Sequence, residues 1–150
     1  MSRRRDIANY LITNLQLING NVSTLNSSYT YYSRLDSRVY RGLSYFDEIN
    51  DYPSLYLAIG PESRIYHSSG LTTCDVKYIL RCYIMSSDEC LKDAEKLAQD
   101  IEHVLYHLPT NNSIGLMNVT IDNIEFDLGL NEPYAFFEVL VNVQYEHQIY

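Results

Sequence analysis

Tryptophan is absent from this 150-residue chain, phenylalanine occurs four times, and apolar runs are short. None approaches the roughly 18 residues of a membrane-spanning helix, so no membrane span is expected. Basic residues are scarce, 11 against 19 acidic ones, giving a net charge of −8 and a pI near 4.8. Gripping nucleic acid requires clustered Lys and Arg to neutralise phosphates, and the one basic run, Arg3-Arg4-Arg5, reads as the solvated first turn of a helix. Were the chain to meet DNA, an acidic surface would repel it and leave it mobile. Three cysteines, Cys74, Cys82 and Cys90, form no CxxC pair, and their odd number leaves a thiol free in any disulfide scheme. That fits a reducing compartment. The N-terminal apolar stretch is short and broken by polar residues, unlike a secretory leader.

Catalytic signatures are also missing: the chain has no HExxH, phosphate loop, dinucleotide fingerprint or GxSxG elbow. His103 and His107 stand four apart, a spacing that can serve a metal, but two histidines in a last helical turn equally suit the helix dipole. Cys82 and Cys90 fall on apolar faces and read as small core residues. These features point away from an enzyme, and no cofactor is expected.

What remains is an ordinary globular composition, 46% apolar and 20% charged, with 15 tyrosines. A chain of this length can bury roughly 68–70% of its unfolded surface around one core, so residues 1–150 are expected to form a single domain. Tyrosine combines a rigid apolar ring with a polar tip, which suits a surface exposed alone and covered in an assembly, as well as strand edges.

Ile7, Ala8, Leu11, Ile12, Leu15 and Ile18 form the stripe of an amphipathic helix, with Asn19-Gly20-Asn21 as its stop. Residues 21–36 read as a loop or loosely held edge strand. Strand composition covers 38–46 and 54–59, and Gly60-Pro61 is expected to close the second strand ahead of a long connection over 61–72. From Thr73 to Met85 strict alternation puts Val76, Tyr78, Leu80, Cys82 and Ile84 toward the core. A capping box, Ser86 with Glu89, then opens a helix whose apolar face runs from Cys90 to Leu108 and stops at Pro109. Alternation changes phase near Asp122-Asn123, which predicts a bulge. The last strand turns Ala135, Phe137, Val139, Val141, Val143 and Tyr145 to one face. The expected fold is α+β, a mainly antiparallel sheet with one long helix packed on one face plus an N-terminal helix.

Several segments in order carry a resemblance: Val39-Tyr40-Arg41-Gly42; Phe46-Asp47-Glu48-Ile49-Asn50-Asp51-Tyr52-Pro53; Gly60-Pro61-Glu62-Ser63-Arg64-Ile65-Tyr66; Tyr78 to Ile84; Ala94 to Glu102; and Asp127 to Tyr134. Over about residues 38 to 146 the chain resembles the tail-terminator family of long-tailed bacteriophages. The resemblance implies a ring, usually of six copies, that caps the tail tube, ends its growth and meets the head connector. Implied partners are other copies of the chain, the tail tube protein, the head–tail connector protein and a sheath protein, with DNA passing unbound and no membrane. The implied place is the tail or neck of a virion assembled in host cytoplasm. By the same analogy Tyr29, Tyr31, Tyr32, Arg41, Glu62, Arg64 and Tyr66 are the expected contact residues. Arg64→Glu is expected to weaken the ring without unfolding the subunit. Another neck protein, a head-completion or connector component, stands as an alternative, as does a small-ligand regulatory α+β domain.

Overall fold

The structure is a computed structural model that describes residues 3–44, 48–86, 89–109, 112–127 and 133–148. Helix α1 (Arg3–Leu15) buries Ile7, Ala8, Leu11 and Leu15, the expected stripe. It ends four residues before Asn19, and Ile18, fully buried, lies in the turn that follows. Helix α2 (Cys90–Tyr106) has 17 residues against 13 in α1, so the two helices are closer in length than one long helix and a minor one. Its buried face, Cys90, Ala94, Leu97, Ala98, Ile101, Val104 and Leu105, follows the predicted spacing. The capping box does not form: Glu89 is the N-cap and makes no side-chain cap hydrogen bond. Ser86 instead donates its backbone N–H to the Pro133 carbonyl, and Ser87 and Asp88 lie outside the described residues.

Five strands, β1 (Val39–Arg41), β2 (Ser54–Tyr66), β3 (Leu71–Met85), β4 (Leu116–Phe126) and β5 (Tyr134–Gln148), form one sheet in the order β1-β2-β3-β5-β4. Only β1 and β2 pair in parallel; the other neighbours are antiparallel. Strand β1 is shorter than the 38–46 expected, and residues 45–47 of that span lie outside the described residues. The end of β2 is the main departure. Its pairing slips between Ile59 and Glu62, and the strand runs on through Gly60-Pro61 to Tyr66. A bulge removes residues from the ladder locally, which accommodates the missing proline N–H. The long connection expected over 61–72 is therefore mostly strand, leaving residues 67–70 between β2 and β3.

The predicted slip near Asp122 is present, between Ile121 and Asn123, inside a single strand β4. Gly115 enters β4 at φ +76°, where a Cβ would stand 2.5 Å from the Glu146 carbonyl oxygen. Both alternating core sets are buried: Cys74, Val76, Tyr78, Leu80, Cys82 and Ile84 on β3, and Ala135 through Tyr145 on β5. The helices cover this face. The opposite face carries two cross-strand ion pairs, Arg81–Glu138 at 2.7 Å and Lys77–Asp122.

Candidate assembly surface

The expected contact residues fall into separate groups. Tyr29, Tyr31 and Tyr32 sit on a strap, residues 19–36, that doubles back on itself through bridges Asn19–Arg34 and Val22–Thr30. Both Leu35 and Asp36 donate their backbone N–H to the Ile18 carbonyl, closing the strap's base. Far from being loosely held, the strap is clamped to α2 by Asp100. That carboxylate is fully buried and accepts the Tyr29 hydroxyl at 2.7 Å and the backbone N–H groups of Tyr32 and Ser33 at 3.1 and 2.8 Å. Burial pushes the Asp100 carboxyl above its ordinary range, with hydrogen bonds from Tyr29, Tyr32 and Ser33 opposing part of that rise. Tyr29 also stacks on His103, centroids 3.9 Å apart and nearly parallel.

His103 Nε2 shares a hydrogen bond with Ser23 Oγ at 2.8 Å, and Ser23 Oγ another with the Tyr31 hydroxyl at 3.1 Å. Burial first, then the neighbouring His107, lowers the His103 pKa, so this histidine favours the neutral form. It serves a buried network rather than the helix dipole. Tyr31, only 3% exposed, is part of the core, whereas Tyr32 is 58% exposed and open to a partner.

Glu62 and Arg64 form a second cluster, and it is internal. Arg64 Nε donates to Glu62 at 2.8 Å, the Tyr145 hydroxyl donates to the same carboxylate, and Arg4 lies 3.6 Å away. Burial acts to raise the Glu62 pKa, but the bonds from Tyr145 and Arg64 and the two positive charges outweigh it and lower the value. Glu62 thus neutralises charge within its own subunit. Tyr66, at the end of β2, is exposed.

Arg41 belongs to neither cluster. It is exposed on β1, at one margin of the sheet. β1 covers only Leu55 to Leu57 of β2, so among the described residues no strand pairs with the outer side of β2 from Ala58 to Tyr66. At the other margin, no described strand pairs with the outer side of β4. Behind β4 lies an open groove of about 560 Å³ between it and α2, lined by Val119, Ile121, Leu105 and Tyr106 with Glu102 at hand. Tyr106 is 86% exposed beside it.

Asp100, Ser23, Glu102 and the groove escaped the sequence reading. Asp100 had a legible signal, because it falls three positions after Leu97 on the apolar stripe of α2. All three cysteines are buried and free. Among the described residues no group of three or more His, Cys, Asp or Glu side chains could hold a metal ion.

Two helices on one face of a mostly antiparallel five-stranded sheet define an α+β fold, with both sheet margins unpaired among the described residues. The fold is similar to that of a chain in the "Virion of native gene transfer agent (GTA) particle", with a TM-score of 0.51 over 75% of this chain and 81% of that one, at 12% identity. In sequence the chain is 26% identical over 127 residues to Tail tube terminator protein p142 of Escherichia phage T5, covering 77% of this chain and 79% of that protein. The family described as Bacteriophage Tail Tube Terminator Protein matches residues 1–149, and the chain belongs to it. It is a structural protein of the phage tail.

Proposed function

We propose that this chain, as one domain, caps the tail tube as a closed ring of six identical subunits, stops tube polymerisation and presents the surface to which the head connector attaches. The observation that carries this reading is the family match over residues 1–149. The geometry supports it. Among the described residues the sheet has two different unpaired margins, and unlike margins suit heterologous contacts, which form a ring where the rotation closes. On this reading Arg41, Tyr32 and Tyr66 are available to neighbours, while Tyr29 takes part where it lines the groove. Partners are other copies of the chain, the tail tube protein, the head connector and, in a contractile tail, the sheath. DNA passes without specific binding.

Electron microscopy of particles made without this protein tests the proposal. Overlong tubes unattached to heads are expected. Tubes of normal length joined to leaking heads would instead favour the connector reading and overturn this one.

A further inference from the structure

We propose that the β1–β2 margin of one subunit adds antiparallel to the outer edge of β4 in the next, with Arg41 entering the groove behind β4 to pair with Glu102. This rests on the ring reading above and names the surfaces that close it.

Strand polarity is the first argument. β1 is parallel to β2, and successive antiparallel pairings through β3 and β5 leave β4 running opposite to both. Rotation about an axis along the strands preserves these directions, so the two margins of neighbouring copies meet antiparallel. β1 lies one strand outside β2 and pairs only with Leu55 to Leu57, so a strand added to Ala58–Tyr66 takes the lane that β1 leaves open and meets the end of β1 at Arg41. β4 offers an edge of 11 residues without Pro or Lys, two common devices for blocking strand addition, although its two register slips confine where a partner can pair.

The second argument is charge and side. One rung runs straight across the sheet through Arg41, Leu57, Leu80, Val139 and Ile124. Leu57, Leu80 and Val139 on that rung are fully buried under the helices, so Arg41 occupies a helix-side position, the side on which the groove opens. The groove presents an acid, Glu102, among Val119, Ile121 and Tyr106. Glu102 is exposed on α2, as Arg41 is on β1. A guanidinium from the opposite margin matches this lining in sign, and an arginine stem covers apolar surface as its head pairs. Leu43, 46% exposed just beyond β1, adds apolar area on the same margin.

The test is charge reversal, read by native mass spectrometry of purified protein and by tail length after complementation of particles lacking it. Arg41→Glu and Glu102→Arg should each weaken ring association by at least about tenfold and give overlong tails, and the double variant should restore both. Unaltered melting curves would show that the variants fold. Single variants that form rings and rescue tail length like the original protein would overturn this docking and leave the ring reading standing. A double variant as defective as the singles would also overturn the pairing. If the unaltered protein itself fails to set tail length, the ring reading falls and this docking with it.

Discussion

The Tyr29 hydroxyl donates to Oδ1 of Asp100 at 2.7 Å, joining residues 71 positions apart and fastening the tyrosine strap to helix α2. With the backbone N–H groups of Tyr32 and Ser33 on the same carboxylate, one buried acid holds residues 29 to 33 of the strap on α2. Asp100→Ala removes these acceptor contacts and leaves part-buried donors unmet. Hydrogen bonds to a charged group are worth about 1.5–3 kcal/mol, so a loss of about 3 kcal/mol is expected from urea unfolding. A variant as stable as the original would show that the strap holds without its clamp.

Acid should weaken the same region through His103. Its folded pKa lies below the ordinary 6.5, so the unfolded chain takes up the proton first. The contribution is fully present above 6.5 and is lost as pH falls through the folded value. His103 faces Ser23, Tyr29, Tyr31, His107 and Asp100. Asp100 acts with the opposite sign: its raised pKa gives a contribution present below 3.8 and lost as pH rises through the folded value. Comparing the original with His103→Gln separates the two. The original should lose more stability than the variant between about pH 7.5 and 5.5. Parallel profiles would exclude His103 as the source.

Arg64→Glu is expected to destabilise the subunit itself. It replaces the Glu62 partner at 2.8 Å with a like charge, beside a carboxylate that is only 11% exposed. A loss of about 2 kcal/mol follows from removing a charge-assisted bond at a partly buried acid. Chemical denaturation reads this directly, and unchanged stability would place the Glu62 cluster outside the subunit's own support. The weakened ring expected of the same substitution in a subunit that still folds is read separately by native mass spectrometry.

The two-residue rhythm of β3 and β5 and the stripe of α2 were legible because each buries one whole face, and such faces impose strict periodicity. The course of β2 was not. Gly60-Pro61 is an ordinary stop signal, and only pairing with the long β3 carries the strand past it. The strap was opaque for a related reason. Its order comes from Asp100 and His103, 67 or more positions away, and local propensity in a Ser, Asn and Tyr stretch holds no trace of them. Glu62 and Arg64 looked like free surface charges because their spacing on a strand reveals neither Tyr145 nor Arg4. Arg41 stood out through family resemblance alone; what gives it meaning is the acidic groove at the far margin, visible once the sheet is assembled.

Cryo-electron microscopy of isolated tails tests the central claim most directly. The account predicts a closed ring of this chain seated on the head-proximal end of the tube, one layer deep, with each β1–β2 margin against a neighbour's β4. Tails that end in bare tube protein, with this chain elsewhere in the particle or missing from it, would contradict the account.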